Sequence, residues 1–177
     1  MDNTNHCILC DNKIVDFKTG VLCNLTNRKP DFQEKCNVIK LDNEFKSKIT
    51  ETNIEYEVVL KTRIDVYGNF ILFLLIALAV FISGFLFGKY VLEVGVISTV
   101  PIIIIGIGIV PLGMAFGPLN HYLSSVKIAK EKKVNIDKIA RLYGYDYDIK
   151  IKHLKDSLGN KSHKTNLHLK KTSNSNS

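Results

Sequence analysis

The sequence has almost no charged residues over one long stretch, and this absence organises the rest of the chain. Residues 70–119 carry only two charged side chains, Lys89 and Glu93. No secretory signal is predicted, because residues 1–20 contain no charged segment followed by an apolar one. No nucleophile, base and orienting group stand at a recognisable spacing, which argues against an enzyme. The polar flanks are too short to bury a large core by themselves.

Two apolar runs fill the uncharged stretch. Residues 70–88 and residues 91–119 are each long enough to cross the hydrocarbon core of a bilayer. Because only a short turn separates them, the sequence predicts a mainly α membrane protein built on an antiparallel two-helix transmembrane hairpin (70–119). Basic residues cluster outside the outer ends of the runs and not between them. By the positive-inside rule, this predicts a multi-pass protein of the cell (inner) membrane with both termini cytoplasmic.

Small residues recur at a spacing of four in both runs. Such a pattern lets helix backbones approach closely, and it predicts packing of the hairpin on itself or on a second copy. The glycines that form the two faces are Gly84, Gly88, Gly113 and Gly117. Pro101 and Pro111 interrupt the second run, and backbone carbonyls freed by proline sometimes coordinate ions. A small oligomeric transport or channel protein is therefore one alternative function.

All of the cysteines lie in the first 42 residues, a segment predicted to be a small head (1–42). Two of them form a Cys-x2-Cys pair, and each of the other two follows after twelve residues. Without an export signal, a reducing compartment is expected, where thiols bind metal more often than they pair. Four thiolates complete a closed, tetrahedral zinc shell, so the sequence predicts a structural zinc site at Cys7, Cys10, Cys23 and Cys36. An iron–sulfur cluster, disulfides and unliganded thiols stay open as alternatives.

Several short segments of the head carry a resemblance to known proteins. They are Cys7-x2-Cys10, Gly20-Val-Leu-Cys23-Asn-Leu-Thr26, Lys29-Pro-Asp-Phe32, Cys36 and Lys40-Leu-Asp42. Together they resemble the four-cysteine, zinc-ribbon-like N-terminal segment of uncharacterised bacterial two-span membrane proteins. The resemblance covers about the first quarter of the chain. It implies a small metal-binding head on a membrane anchor and implies no activity.

Residues 43–69 connect the head to the first apolar run and are predicted to form a juxtamembrane helix. Within them, residues 49–64 fit both the helical spacing and the alternation of a strand. We favour the helix because the segment is long and leads into an apolar helix.

The C-terminal part of the chain is predicted to contain a basic juxtamembrane helix, a short helix and a strand (120–156). Gly144 marks the end of the short helix, and apolar and charged residues alternate from Tyr145 onward. One helix and one strand do not make a domain, so they must pack on the head, on the juxtamembrane helices or on another subunit. Residues 157–177 are polar and repetitive and are predicted to be disordered.

The positive charge of the chain belongs to its C-terminal part. Residues 126–177 carry thirteen Lys and Arg against five Asp and Glu, a net charge of +8 in a chain whose total is +7. Lysines directly after an apolar run predict contact with anionic lipid headgroups of the bilayer. Nucleic acid is an unlikely partner, because no second helix completes a helix-turn-helix.

The function predicted from these features is non-enzymatic. A zinc-stabilised cytoplasmic head would act as an interaction or scaffold module at the inner membrane surface, with an unknown protein partner. Besides transport, the other alternative is a thiol-based redox or metal sensor that uses the four cysteines.

Overall fold

The computed structural model describes residues 3–90, 99–155 and 161–172. The helices are α1 (Asn3–Ile8), α2 (Asn43–Lys61), α3 (Arg63–Tyr90) and α4 (Thr99–Leu142), and the strands are β1 (Lys13–Asp16), β2 (Gly20–Cys23), β3 (Tyr145–Lys155) and β4 (Lys161–Lys171). The chain divides into two compact units. The terminal unit comprises Met1–Glu57 with Ala129–Ser177, and the helical unit comprises Val58–Ile128.

The predicted mainly α fold with a two-span hairpin is wrong. The structure is 61% helix and 19% strand, and its strands form two small antiparallel sheets. Among the described residues, one helical stretch, Asn43–Tyr90, is long and apolar enough to cross a membrane. Part of the second predicted span, 91–98, lies outside the described residues. The rest belongs to α4, which continues beyond the apolar run into charged residues. The predicted multi-pass location loses its basis with the second span.

Of the two alternatives for residues 49–64, the structure has the helix. Asp11 accepts the backbone N–H of Glu44 at 2.8 Å, so a carboxylate from the head caps the N-terminus of α2. The residues that α2 buries follow helical spacing and are Phe45, Ile49, Thr52 and Asn53. Burial of this one face decides for the helix over the local strand alternation.

Both ends of the chain contribute to the core of the terminal unit. The fully buried cluster consists of Leu9, Phe45, Ile49, Ile139 and Ala140. Partly buried residues pack against it, including Tyr143, Tyr145, Tyr147, Leu167 and Leu169. The C-terminal end of α4 and the β3–β4 sheet therefore pack on the head and on α2. Neither end of the chain contains this core by itself.

The β3–β4 sheet is an antiparallel ribbon whose register runs from Tyr145↔Lys171 to Lys155↔Lys161. The predicted disorder of residues 157–177 is therefore wrong for Lys161–Lys171. Thr165, Leu167 and Leu169 alternate with polar residues and turn toward the core, while the intervening residues are exposed. A lone two-stranded sheet is marginal in water, so the ribbon depends on its packing against the core.

In the helical unit, α3 packs against the first part of α4. The ring centroids of Phe70 and Phe116 are 5.3 Å apart, and those of Tyr67 and Tyr122 are 6.2 Å apart. The residue with the higher number on α3 contacts the residue with the lower number on α4, so the two helices are antiparallel. Many of their large apolar side chains are exposed, among them Ile71, Leu72, Leu75, Ile103, Ile107 and Ile109. Exposed apolar surface of this extent is typical of contact with lipid or with another protein.

The glycine faces predicted for helix packing differ from one another. Gly84 and Gly88 are buried in α3. A Cβ built on Gly113 or Gly117 would meet no described atom within 4 Å. The predicted role of all four glycines in a contact with a second copy stays a prediction.

Candidate metal centre

The first two cysteines lie at the end of α1. Cys7 is in the helix, and the backbone N–H of Cys10 donates to the carbonyl oxygen of Cys7 at 3.0 Å. Both residues are buried. The sulfur of Cys10 accepts the backbone N–H groups of Asn12 and Lys40, each at 3.4 Å. Amide groups directed at a sulfur suit the negative charge that it carries as a metal ligand.

Cys23 is the last residue of the β1–β2 hairpin. In the hairpin turn, Asp16 accepts the backbone N–H of Lys18 at 2.6 Å, and Gly20 adopts a φ of 87° that favours glycine. After the strand, the N–H of Asn27 donates to the carbonyl of Cys23 at 2.8 Å and folds the chain back. The backbone N–H of Leu25 lowers the pKa of the Cys23 thiol, although burial opposes the shift. Cys23 is thus held where a thiolate is favoured.

Cys36 is connected to the C-terminal part of the chain through its backbone. Its N–H donates to the hydroxyl oxygen of Tyr143 at 2.9 Å, and the same hydroxyl lies 3.0 Å from Nδ1 of His6. The His6 ring is only 2% exposed and contacts the rings of Phe32 and Tyr143 edge-on. Burial lowers the pKa of His6, so its ring is neutral at pH 7. Tyr143 therefore fixes two segments of the head at once.

The four predicted ligands share one cavity. Its volume is about 590 Å³, and Cys7, Cys10, Cys23 and Cys36 all line it. Burial, together with a smaller effect of the nearby thiols of Cys36, Cys10 and Cys23, raises the pKa of the Cys7 thiol to about 11. Residues that are far apart in sequence are here collected on one side of the terminal unit.

The thiols are gathered but do not converge on one point. All four cysteines are free, so no disulfide joins them. Within the described ranges, no three His, Cys, Asp or Glu side chains are grouped closely enough to hold a metal ion. The donor set itself fits zinc, because four soft sulfurs complete its tetrahedral shell. Ligation therefore requires the segments that carry the thiols to move inward around the ion, and the zinc site stays a prediction.

A second polar cluster in the terminal unit was not found from the sequence. Nζ of Lys133 lies 2.5 Å from Oδ1 of Asn53, and Nδ2 of Asn53 donates to the hydroxyl oxygen of Tyr147 at 3.2 Å. The Tyr147 hydroxyl in turn donates to Asp137. Since every member has a partner, the cluster joins α2, α4 and β3 rather than leaving a group poised for catalysis. The sequence did not indicate a buried role for Asn53, because a polar residue in a helix is typical of its exposed face.

Two histidines face each other near the far end of the β3–β4 ribbon. His153 and His163 are cross-strand partners with ring centroids 4.8 Å apart. Nε2 of His153 lies 3.0 Å from a carboxylate oxygen of Glu57, and Nδ1 of His163 is buried without a hydrogen-bond partner among the described atoms. Their spacing in the sequence, ten residues apart, resembles no ligand motif. Only the strand register brings them together.

Comparison with known proteins gives this chain no family. No protein-family model matches the sequence, and neither a curated protein nor a solved structure matches it. The resemblance to bacterial two-span membrane proteins therefore rests only on the cysteine segments. The function has to be argued from the contacts of the two units.

Proposed function

We propose that this protein is a non-enzymatic membrane protein whose terminal unit is an interaction module stabilised by zinc. The metal would be held by Cys7, Cys10, Cys23 and Cys36, and its role would be structural, since four protein ligands leave no position for a substrate. The helical unit would embed the chain in the cell membrane, with the terminal unit in the cytoplasm. An unknown protein would bind the terminal unit.

The observation that carries the proposal is the common cavity of the four thiols. The segment from residue 24 to residue 42 contains no described helix or strand, and it connects Cys23, Cys36 and α2. Such a segment has few backbone contacts of its own, so it needs an additional link to hold one conformation. Metal binding supplies this link in small domains, because the free energy of ligation becomes free energy of folding.

The exposed apolar surface of the helical unit supports the membrane part of the proposal. Side chains such as Ile71, Leu75 and Ile107 are more than half exposed, which in water would be unfavourable by roughly 25 cal/mol per Å² of apolar area. A bilayer removes that cost. The lysines of α4 would meet anionic headgroups of the bilayer.

The metal content of the purified full-length protein tests the proposal. We expect about one zinc ion per chain in the wild type, and less than about half of that in Cys7→Ser and in Cys36→Ser. Val38→Thr is the matched control, because Val38 lines the same cavity without a thiol. Its zinc content should equal that of the wild type. If neither cysteine change lowers the bound zinc, the metal part of the proposal is wrong.

A second candidate function is a thiol-based redox sensor, and one observation favours it. The pKa of Cys23 is lowered, and this residue is not fully buried, which together make it the cysteine best suited to attack an oxidant. A thiolate in this position forms a sulfenic acid with a peroxide, and a neighbouring thiol then displaces water to give a disulfide.

Peroxide titration of the zinc-loaded protein distinguishes the sensor from the scaffold. A sensor would form a disulfide involving Cys23, release zinc and recover both on reduction. Cys23→Ser should then slow oxidation more than Cys7→Ser does, because the Cys7 thiol has a raised pKa of about 11. Oxidation that affects all four cysteines alike, or that cannot be reversed, would count against this function.

A further inference from the structure

Strand β4 has an open edge beside helix α2. The sheet has only two strands, so the edge of β4 that faces away from β3 is not covered by a third described strand. Every second backbone N–H and C=O on that edge is available for pairing. The open edge runs the length of an eleven-residue strand, Lys161–Lys171.

A groove follows this edge on the inner side of the strand. Its volume is about 1050 Å³, and it is lined by residues of α2 and β4 and by none from β3. The floor of the groove is apolar and is formed by Ile54, Leu167 and Leu169. The helix side is polar and is formed by Lys46, Ser47, Thr50, Glu51 and Glu55, and both glutamates are ion-paired with lysines. An extended chain laid in the groove would place every second side chain on this floor.

The opposite face of the ribbon is exposed. It carries Asp146, opposite Lys170, and Asp148 at the end that follows α4, and lysines beyond them. Lys150, Lys152 and Lys164 are exposed there and take part in none of the ion pairs found within the described residues. Lys152 and Lys164 stand directly opposite each other across the two strands. Like charges in this position destabilise a sheet. A negatively charged partner on this face would remove the repulsion.

We propose that the groove between β4 and α2 binds an extended protein segment in which apolar and acidic residues alternate. The segment would add a third strand to the sheet through the open edge of β4. Its apolar side chains would cover Ile54, Leu167 and Leu169, and its acidic side chains would lie beside Lys164 and Lys170. This proposal rests on the proposed function as an interaction module and names the kind of partner.

Charge decides against a second copy as the occupant. The exposed residues of β4 include Lys164 and Lys170 and no acid, so two β4 edges would bring lysines together. Lysines on an edge strand are a known protection against pairing with itself. The same lysines attract an acidic strand, so they reject one partner and select another.

A designed peptide tests the groove on the full-length protein in bilayer discs of zwitterionic lipid. The probe is a fluorescent, end-capped peptide in which Val and Glu alternate, and its binding is measured by anisotropy. One control peptide has the same composition with the valines and glutamates in two blocks. A second alternates Val and Lys. We expect only the alternating Val–Glu peptide to bind, and we expect it to slow amide exchange in β4.

Two matched charge reversals locate the site. Lys164→Glu combined with Lys170→Glu changes the strand next to the peptide, and we expect about tenfold weaker binding. Lys150→Glu combined with Lys152→Glu makes the same change on β3, one strand spacing of about 4.8 Å further away, where we expect a loss of about twofold. The β4 reversal should also allow the Val–Lys peptide to bind.

Equal losses in the two reversals, equal binding of the block peptide, or no binding at all would overturn the proposal. Competition by duplex DNA or by anionic vesicles that depends only on their charge would also overturn the proposal. The lysine-bearing face would then bind any polyanion. Zinc content is measured in the same preparations. If zinc-loaded protein does not bind the peptide, the groove proposal is wrong and the zinc-stabilised module is unaffected. If metal-free protein binds the peptide, the zinc-stabilised module is wrong and the groove proposal is unaffected.

Discussion

The backbone N–H of Cys36 donates to the hydroxyl of Tyr143 at 2.9 Å, although the two residues are 107 positions apart. Cys36 lies in the long irregular segment of the head, and Tyr143 follows the end of α4. Because the same hydroxyl also contacts His6, this one side chain links α1 to the irregular segment that carries Cys36. The C-terminal part of the chain thereby helps to position the predicted zinc ligands.

Removal of that hydroxyl should loosen the head. Tyr143→Phe leaves the N–H of Cys36 without its acceptor, which we expect to cost about 1–2 kcal/mol. Amide exchange at Cys36 should become faster by the corresponding factor, and its thiol should react faster with a maleimide. Tyr145→Phe is the control, because none of the hydrogen bonds within the described residues uses the Tyr145 hydroxyl. Similar changes in both variants would contradict the proposed role of Tyr143.

Alkaline pH should weaken the terminal unit through Tyr147. Burial raises the pKa of Tyr147 from 10.0 to about 12, so the folded state holds the phenol proton more tightly than the unfolded state does. The stability contributed by the neutral phenol is present below pH 10 and is lost as the pH rises to about 12. Urea unfolding followed by circular dichroism across this range should show a steeper loss for the wild type than for Tyr147→Phe. Parallel losses would contradict this prediction.

Gly144 should tolerate no side chain. Its φ of 72° lies in the left-handed region, and a Cβ there would lie 3.2 Å from the carbonyl oxygen of Thr172. We expect Gly144→Ala to destabilise the ribbon by about 1–2 kcal/mol and to speed exchange of the Thr172 amide, which donates to Gly144 at 2.7 Å. Gly68→Ala is the matched control, since its Cβ would meet no described atom within 4 Å. An equal effect at Gly68 would show that the left-handed conformation is not the cause.

Gly108 should be required for the packing of α3 against α4. A Cβ on Gly108 would lie 2.7 Å from the ring of Phe81, so the ring or the helices must shift. We expect Gly108→Ala to lower the stability of the helical unit by about 1–3 kcal/mol, as overpacking does. Gly106→Ala should be neutral, because a Cβ there would meet no described atom within 4 Å. Thermal unfolding in detergent measures both, and a loss at Gly106 alone would reverse the assignment.

Local patterns in the sequence were enough for several elements of the structure. The alternation from Tyr145 onward predicted β3, and Gly144 predicted the end of the preceding helix. The apolar run from residue 70 predicted a long helix, which is part of α3. Their small size also required the C-terminal elements to pack on the head, on the juxtamembrane helices or on another subunit, and the structure has them on the head and on α2. These features depend on neighbouring residues, which is why the sequence alone could indicate them.

The sequence-based predictions failed where contacts between residues far apart in the sequence determine the structure. Residues 161–171 are polar and were predicted to be disordered. In the structure they pair with β3, and Leu167 and Leu169 pack against the core. The second apolar run read as a membrane span, but α4 continues far beyond it into charged residues. The strand cannot be obtained from hydropathy, because it depends on the strand and the core that the rest of the chain places alongside.

The sequence by itself indicated which residues would carry the proposed chemistry: four cysteines for a soft metal, an apolar stretch for a bilayer, and lysines for anionic partners. The tertiary structure alone decided that the four thiols share one cavity, that Tyr143 supports it, and that β4 leaves an open edge beside an apolar groove. The physical reason is that side-chain identity is local, whereas burial and convergence arise only when both ends of the chain close one core.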